Sequence, residues 1–488
     1  MWRLYRLLVG LITCHPIAKL GGYMVTFGTI SAISYTGATI FTRADSAYAG
    51  IIFLLLVPSS FFGGLALIPL GIYLAFRKAC LQEPSLRNKP LGEILRRLSG
   101  EEDVRNRIIV FILFTIANVV LTLVIVMAGF EYMDSASFCG LLCHKVMEPE
   151  YVVYQRSPHA RVVCVDCHIG PGASWFVRSK ISGLRQVYAV MAGTYSRPIP
   201  TPVEHLRPSR ETCEQCHWPD KFEGDKLKII THYDTDRNNT KRYTALLLKI
   251  GGPDAVGTRK GGIHWHVSKG NRVVFISEKD ERKDIPWMRL ERESELPVEY
   301  RFTGTDISNQ EAATALKRTM ECVDCHNRPT HVYRTSDEEL DSMLSLWPEL
   351  QNVPYLKKAS GEVLARRFDE TSIQRKEVGR ALLTWYSDRP EEKADPALLE
   401  KAAERVQEIY SRNVWPRMNI TWGTYDNHIG HSTDTHTAAG LGCLRCHGNN
   451  HVTAEGKAVR ADCRLCHIIL ALDEEKPPLF DFMVHKEK

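Results

Sequence analysis

Twelve of the fourteen cysteines lie in six close pairs, and a histidine follows the second cysteine of every pair. The spacing C-x-x-C-H is typical of c-type haem attachment, in which two thiols bind the porphyrin and the adjacent imidazole binds the iron. We number the pairs motif 1 to motif 6 in chain order: Cys139/Cys143/His144, Cys164/Cys167/His168, Cys213/Cys216/His217, Cys322/Cys325/His326, Cys443/Cys446/His447 and Cys463/Cys466/His467. This set predicts six covalently bound c-type haems and favours a multihaem electron carrier.

Motif 1 departs from the strict spacing, because three residues instead of two separate Cys139 from Cys143. Met147 lies three residues after His144, and a methionine ligand raises the potential of haem iron relative to a second histidine. Two interpretations stay open for Met147. It binds the iron of this haem, or it packs against porphyrin or lipid.

Zinc binding is the main structural alternative to haem attachment. The four cysteines from Cys443 to Cys466 follow the spacing C-x2-C-x16-C-x2-C, which also fits a zinc ribbon. A zinc ribbon does not require a histidine after each second cysteine, and here that histidine occurs six times. The repeated histidine therefore favours haem over zinc, over disulfides and over redox-active thiols.

The second axial position of each haem iron needs a group from outside the motifs. A second histidine leaves no open position and suits one-electron relay, whereas an open position permits catalysis on small molecules. Twelve histidines lie outside the motifs, which is enough for two histidines at most haems. From their positions near the motifs we predict second ligands at His159, His205, His331, His428, His436 and His451.

The spacing of these histidines also suggests which haems they bind. His331 and His451 follow their own motifs too closely to reach the far face of that haem, so we expect each to bind a neighbouring haem. His431 lies in the same cluster as His428 and His436. The weaker candidates lie in a β-like stretch, and they are His232, His264 and His266.

Three long apolar segments precede motif 1, at about 20–41, 48–76 and 108–132. Each has the roughly 20 residues needed to cross a hydrocarbon core of about 30 Å. The first is rich in small residues, which let helices pack closely in lipid, and the second contains two prolines, which a packed membrane helix tolerates. We predict a membrane domain of three transmembrane helices in residues 1–132.

The loops between these segments differ in charge. Residues 42–47 contain one basic residue, Arg43, whereas residues 77–107 contain eight. The positive-inside rule places the N-terminus and the loop 77–107 in the cytoplasm. Three crossings then deliver all six motifs to the periplasmic side of a bacterial inner (cytoplasmic) membrane, where conditions are oxidising.

After the apolar segments the sequence predicts a multihaem cytochrome c fold that is mainly α and irregular, with a small β insertion at about 222–303. The insertion is indicated by β-like stretches at 243–250, 272–276 and 298–302. Helical patterns occur at 309–320, 338–346, 361–386 and 396–410.

The predicted domains follow from where the motifs lie. Residues 133–331 would form a tetrahaem domain that includes the β insertion, and residues 332–412 a helical connector. Residues 413–488 would form a C-terminal dihaem region. The charged tail from residue 468, which contains a Pro-Pro pair, is predicted to be a surface strap.

From about residue 110 to 331 the chain resembles the NapC/NirT family of membrane-anchored quinol dehydrogenases. The similar features are a helix that runs into motif 1 with a methionine nearby, His159 shortly before motif 2, a segment from Trp175 to Lys180, and C-V-D-C-H followed by His331. The resemblance implies a tetrahaem unit at the periplasmic membrane face, whose first haem takes electrons from a quinol. It also implies that Lys180 corresponds to the lysine associated with the quinol pocket.

Two features differ from that family pattern. Three apolar segments occur where family members usually have a single helix, and motifs 5 and 6 extend the chain beyond the tetrahaem unit. The extended chain is similar to the larger inner-membrane multihaem cytochromes of anaerobic, often extracellular, respiration.

Together these features predict an inner-membrane hexahaem cytochrome that oxidises menaquinol or another quinol and relays electrons to periplasmic c-type cytochromes or reductases. Two alternatives stay open: a passive relay subunit of a larger membrane dehydrogenase complex, and a terminal reductase with one open haem. The surplus of histidines disfavours the reductase. The net charge of +5 is concentrated before residue 108, so nucleic acid is not a predicted partner.

Overall fold

The chain forms two compact units, residues 1–148 and residues 149–488. Motif 1 belongs to the first unit and motifs 2 to 6 to the second. The computed structural model describes residues 14–42, 47–84, 131–142, 146–170, 173–201, 207–219, 222–251, 262–277, 282–293, 295–305, 307–431 and 442–480, with the single residues 10, 12, 89, 93, 116 and 120.

Two long helices, α1 (Pro16–Thr42) and α2 (Ala47–Gln82), pack antiparallel in the first unit. Their backbones approach closely where glycines face each other: a Cβ added to Gly21 would lie 2.7 Å from the Gly64 carbonyl oxygen. The Ser60 hydroxyl also donates to the Met24 carbonyl across the pair, at 3.1 Å. Small residues and an interhelical hydrogen bond are the features that hold helices together in lipid.

Within the described residues, one helical stretch, Val57–Gln82, is long and apolar enough to cross a membrane. Of the three predicted transmembrane helices, the structure therefore supports one, the second. The first predicted segment lies within α1, and the third lies almost entirely outside the described residues. The second segment ends later than predicted, because good helix formers continue α2 through residue 82 until Pro84 disfavours helical backbone before it.

Four helices lie near the start of the second unit, around motifs 2 and 3. They are α3 (Glu148–Gln155), α4 (Cys164–His168), α5 (Ala173–Met191) and α6 (Ser209–Cys213). Only α5 is longer than eight residues, because this region is interrupted repeatedly by Pro and Gly.

Two antiparallel sheets follow. The first has the order β1-β2-β8, with β1 at Gly224–Tyr233, β2 at Lys241–Gly251 and β8 at His467–Glu474. The second has the order β6-β3-β4-β5-β7, and its strands are β3 (Asn271–Ile276), β4 (Trp287–Arg292), β5 (Val298–Phe302), β6 (Arg318–Thr319) and β7 (His451–Val452). A 3-10 helix at Ile263–Val267 lies between β2 and β3.

The β structure is larger than predicted and is not confined to the insertion. The C-terminal segment was predicted to be a strap from residue 468, but it forms β8 and pairs with β2, with Leu246 opposite Ile469. Strand β7 pairs with β5 in the same way. The alternation in 467–474 is weak, since apolar residues occupy successive positions, so only the pairing with β2 identifies this segment as a strand.

Helices dominate the chain from residue 309 to motif 5. They are α7 (Asn309–Thr314), α8 (Cys322–Cys325), α9 (Ser336–Leu346), α10 (Leu356–Leu364), α11 (Glu370–Gln374), α12 (Glu377–Ser387) and α13 (Pro396–Asn413), with 3-10 turns at Pro348–Asn352 and Pro416–Met418. The start of α13 follows from its sequence. Asp395 caps it by accepting from the Ala397 N–H at 2.8 Å, and Pro396 occupies its first position.

The helical pattern over 361–386 was predicted as one helix but is broken into α10, α11 and α12. Asp369 caps a new helix, and Lys376 adopts a left-handed backbone conformation with φ of 59°. The predicted helix over 309–320 likewise ends at Thr314, because Arg318 and Thr319 pair with β3 instead. Local polar signals and strand pairing thus outweigh the helical pattern.

The main apolar core of the described chain lies among α9, α10, α12 and α13. Leu344, Leu356, Val363 and Leu382 are completely buried there. The β1–β2 turn docks on this core through buried Asn239, whose side-chain amide donates to the Val353 carbonyl and whose oxygen accepts from the Lys357 N–H. This part of the second unit therefore has a protein core of its own, next to the motif-bearing segments.

A buried carboxylate joins this core to the segment before motif 2. Glu339 on α9 is fully buried and pairs with Arg412 on α13 and with Arg156 after α3. Burial raises the pKa of Glu339, but the two guanidinium groups outweigh it and hold the pKa below its ordinary value.

We expect Glu339→Gln to reduce stability at neutral pH by about 2 kcal/mol and to flatten the acid side of the stability profile. A carboxylate with a lowered pKa stabilises the fold fully above its unfolded pKa of about 4.3, and the contribution is lost as the pH falls through the lower folded value. Denaturation midpoints between about pH 7 and pH 3 measure this. Glu408→Gln, at an exposed ion pair, is the control and should change little. Equal profiles for both variants would refute the role of Glu339.

Candidate haem sites

The described motifs 2 to 6 each begin in a short helical element. Motif 2 lies on α4, and both cysteines of motif 4 lie on α8. The first cysteine of motif 3 ends α6, and the first cysteines of motifs 5 and 6 lie in 3-10 turns at Gly442–Arg445 and Cys463–Leu465. In motifs 3, 4 and 5 the histidine N–H donates to the carbonyl of the first cysteine, at 2.8, 2.7 and 3.0 Å. Residues three and four apart in such a turn share one face, so both thiols and the imidazole project to one side.

Motif 1 is only partly described. Cys139 lies in a π-helical turn at Phe138–Leu142, and its thiol lies 3.8 Å from the Met133 carbonyl oxygen. A π turn takes in one residue more than an α turn, which is consistent with the longer spacing of this motif. Cys143 and His144 lie outside the described residues. Met147 is half-buried, and its role as an iron ligand stays a prediction.

Each of the other five motif histidines lies beside one histidine from elsewhere in the chain. The ring centroids are 5.8–6.3 Å apart in all five pairs. The pairs are His168 with His331, His217 with His159, His326 with His264, His447 with His266, and His467 with His431.

This separation fits an iron held between two imidazoles. A metal–imidazole bond of about 2 Å on each side places the two nitrogens about 4 Å apart, and the two ring centres about 6 Å apart. Two imidazoles stacked directly on each other would have closer ring centroids. Histidines that were near each other by chance would not all show the same centroid distance. The described residues therefore fit haem at motifs 2 to 6.

Hydrogen bonds orient several of these rings for metal binding. The Nδ1 atoms of His264 and His266 lie 2.9 Å from the carbonyl oxygens of Ile250 and Ile263, and His447 makes the same contact with Arg460 at 2.6 Å. A ring that donates from Nδ1 presents the Nε2 lone pair to a metal, which is the usual arrangement for metal-binding histidines.

Burial favours the neutral form of several of the paired imidazoles. Burial lowers the pKa of His168, His266 and His326, and a nearby imidazole lowers each of them further. Burial also lowers the pKa of His331, although the Glu150 carboxylate opposes this. Neutral imidazole is the form that binds iron.

Glu150 supports the His331 ring directly. Nδ1 of His331 lies 3.1 Å from both the backbone carbonyl and a carboxylate oxygen of Glu150. Arg328 donates to both carboxylate oxygens of Glu150 at 2.9 Å and to the His331 carbonyl at 2.6 Å. This buried cluster fixes the ring opposite motif 2.

The thiols of successive motifs lie close to one another in chain order. Cys213 of motif 3 and Cys322 of motif 4 are within hydrogen-bond reach, and their contact raises the pKa of Cys213 and lowers that of Cys322 to about 7. Between the other neighbouring motifs, one thiol lies close enough to raise the pKa of another. Cys216 raises the pKa of Cys167, and Cys443 raises the pKa of both Cys325 and Cys466. Motifs 2 to 6 therefore form a continuous series.

The structure brings two of the predicted second ligands, His159 and His331, to motif histidines. His205 and His436 lie outside the described residues. His428 and His451 are buried and are not among the five described pairs. The backbone N–H of His428 donates to the side-chain oxygen of Asn327, and Nε2 of His451 lies 2.7 Å from the Ile285 carbonyl oxygen. That contact makes Nε2 of His451 a donor, so the geometry does not support it as a ligand.

Three paired histidines lie outside the predicted set: His264 and His266, which were the weaker candidates, and His431, which was named only as part of a cluster. Distance along the chain hid them, because His264 is 62 residues before His326 and His266 is 181 residues before His447. The only signal in the sequence was that His264 and His266 lie two residues apart in a stretch without a haem motif. Lys180, the predicted quinol-site lysine, lies on α5, and its side chain is outside the described part.

The comparison with known proteins bears on this arrangement. The model of the NapC/NirT cytochrome c family, N-terminal region, matches residues 102–200, which include motifs 1 and 2 and α5. Cytochrome c-type protein ImcH of Geobacter sulfurreducens is 38% identical over 479 residues, which cover 95% of this chain and 89% of that protein. This chain belongs to the NapC/NirT cytochrome c family. No solved structure matches it.

Membership of the NapC/NirT family confirms the resemblance found in the sequence. It identifies the chain as a membrane-anchored c-type cytochrome of electron transport, with haem iron bound covalently. The match continues well past the NapC/NirT region, because the similarity to ImcH includes most of the chain.

Proposed function

We propose that this protein is an inner-membrane hexahaem cytochrome that oxidises menaquinol and passes the electrons, one at a time, to periplasmic c-type cytochromes or reductases. The observation that carries the proposal is the series of five imidazole pairs, ordered like the motifs along the chain. Bound haem supplies one-electron chemistry at its iron. The paired imidazoles would hold the iron of each haem at motifs 2 to 6, which suits relay and disfavours a terminal reductase with an open haem at these motifs.

The redox step balances with two one-electron acceptors. One quinol loses two electrons and two protons to become a quinone. Two haem irons, held by motif histidines, would each accept one electron, and the two protons pass to water. Two periplasmic acceptors, each reduced by one electron, complete the turnover. Several haems in series allow both electrons of one quinol to be held before either acceptor arrives.

Helix α5 supports a location at the membrane surface. Ile181, Leu184, Tyr188 and Met191 recur at helical spacing and are all more than half exposed. The helix carries three basic residues and no acidic ones. An apolar stripe with a basic character is typical of helices that lie in the membrane interface. We place the quinol site near this helix and the motif-bearing unit in the periplasm, with the N-terminus and loop 77–107 in the cytoplasm.

The direct test is reduction of the purified, full-length protein by a menaquinol analogue under anaerobic conditions, followed by haem absorbance. We expect the quinol analogue to reduce the haems within seconds. An added c-type cytochrome should then be reduced in turn. If dithionite reduces the haems and no quinol analogue does, quinol oxidation is excluded.

Lys180 is proposed to bind the quinol oxygen as it loses its proton. A charge-assisted hydrogen bond contributes about 1.5–3 kcal/mol, so Lys180→Gln should slow quinol-driven reduction by roughly 10- to 100-fold. Haem content and reduction by dithionite should not change. Arg185→Gln removes an exposed charge from the same helix and is the matched control. Equal rates for the two variants would contradict a specific role for Lys180.

A passive relay subunit is the second candidate function. Strand β8 begins at the motif 6 histidine, and its Ile468, Ile469, Leu470 and Leu472 are each at least 40% exposed. An exposed apolar strand next to a redox site favours contact with another protein. Co-purification with a stoichiometric dehydrogenase partner, together with no quinol oxidation by the isolated protein, would favour this function.

A further inference from the structure

The 3-10 helix at Ile263–Val267, here called the ligand turn, places two histidines beside two different motifs. The ring of His264 lies parallel to that of His326 in motif 4, with 6.3 Å between centroids and an interplanar angle of 2°. The ring of His266 lies 5.8 Å from that of His447 in motif 5, at 87°. We infer that this single turn supplies the second axial ligand to both the motif 4 and motif 5 haems. The inference rests on the proposed relay.

The geometry of a 3-10 helix prevents both imidazoles from serving one iron. Such a helix has three residues per turn, so His264 and His266, two positions apart, project in directions about 120° apart. Each ring therefore meets its own motif. Because the same five residues hold both ligands, the two haems are fixed relative to each other by one short piece of backbone.

The tautomers of both rings suit this role. Nδ1 of His264 and Nδ1 of His266 each lie 2.9 Å from a backbone carbonyl oxygen, so Nδ1 carries the proton and Nε2 of each ring keeps its lone pair for a metal. His451 is the competing candidate at motif 5. Its Nε2 lies 2.7 Å from the Ile285 carbonyl oxygen and is held as a donor, which favours His266.

The ligand turn is rigidly supported. Gly262 precedes it with φ of 82°, and a Cβ there would lie 2.5 Å from the Lys249 carbonyl oxygen, so only glycine fits. The Asn271 side chain donates to the Trp265 carbonyl at 2.9 Å and to the Ser268 hydroxyl at 2.8 Å. Arg210 of α6 donates to the Val267 carbonyl at 2.5 Å, which ties the turn to the helix of motif 3.

Replacing each histidine with glycine tests the assignment by spectroscopy. In His264→Gly and in His266→Gly we expect one haem per chain to become high-spin by electron paramagnetic resonance, and added imidazole to restore the low-spin signal. A cavity of about 430 Å³ opens beside His266, so a small ligand has access. The double variant should show two high-spin haems. His264→Met and His266→Met keep an iron ligand, and each should raise the potential of one haem.

The controls are histidines that the structure places differently. His232→Gly alters the neighbouring sheet, where Nε2 of His232 lies 2.9 Å from an Asp473 carboxylate oxygen. His451→Gln keeps a donor for the Ile285 carbonyl and tests the competing candidate. Both should keep the low-spin signal of the unaltered protein. High-spin haem in His451→Gln, or unchanged spectra in both ligand-turn variants, would overturn the inference.

The outcome is separable from that of quinol oxidation. The spin state is measured without any quinol, in protein whose covalent haem content is checked first. An imidazole-rescued high-spin signal together with no quinol oxidation would support the ligand turn and reject the quinol step. Fast quinol oxidation together with unchanged spin states in the ligand-turn variants would support the quinol step and reject the ligand turn.

Discussion

Replacing Cys322 and Cys325 with alanine is expected to remove one haem and to stop electron flow from motif 3 to motif 5. Motif 4 lies in the middle of the series: the Cys322 thiol is within hydrogen-bond reach of Cys213, and Cys325 lies close to Cys446. Without covalent haem at motif 4, the largest gap in the relay opens at this point. Quinol should then reduce three of the five remaining haems rapidly, and transfer to an external cytochrome should fall to background.

The matched control is the same change at the end of the series, Cys463→Ala with Cys466→Ala. This variant also loses one haem, yet quinol should still reduce all five that remain, because nothing upstream is interrupted. Stopped-flow absorbance gives the reduced fraction, and the haem-to-protein ratio confirms loss of a single haem. Rapid reduction of all five haems in the motif 4 variant would show that the electrons do not pass in motif order.

Arg328→Met is expected to destabilise the second unit by about 3–5 kcal/mol, because it leaves the buried Glu150 carboxylate without its partner. Arg328 also stacks over Tyr425, with 3.9 Å to the ring centroid. A phenol carries no positive charge, so Tyr425 cannot replace the lost cation. Burial and the Glu150 carboxylate raise the pKa of Tyr425 to about 12, so it also stays un-ionised. The midpoint of chemical denaturation, followed by tryptophan fluorescence, measures the loss.

Lys401→Met is the control for this change, since it breaks the Lys401–Glu349 pair on the surface. Exposed pairs contribute at most about 1 kcal/mol, so the midpoint should hardly move. Arg328→Met should also perturb the haem at motif 2, because the arginine holds both Glu150 and the His331 carbonyl. A shift of equal size in the two variants would contradict a structural role for the buried cluster.

The chemistry of the sites could be read from the sequence, because haem attachment depends on three residues within one turn. The β-like stretches at 243–250, 272–276 and 298–302 were confirmed for a similar reason, since runs rich in branched and aromatic residues have few other conformations. Helices α9 and α13 also follow local signals, namely the capping pair Thr335 and Glu338 and the Asp395–Pro396 start.

Long-range pairing could not be read from local patterns. The second ligands His264, His266 and His431 depend on which segments the fold brings together, and spacing along the chain favoured His428 and His451 instead. The same holds for β8, whose pairing with β2 joins residues more than 200 positions apart. The first apolar segment was easy to place in a helix, but the number of membrane spans stays a prediction beyond Val57–Gln82.

The most direct test of a hexahaem quinol relay is a count of the electrons that menaquinol delivers to one chain. Purified full-length protein is titrated anaerobically with a menaquinol analogue of known concentration, and haem absorbance is compared with complete reduction by dithionite. We expect a pyridine haemochrome ratio of six haems per chain, and an end point at three quinols per chain when the quinol is sufficiently reducing. A ratio well below six, or haems that dithionite reduces and quinol does not, would contradict the account.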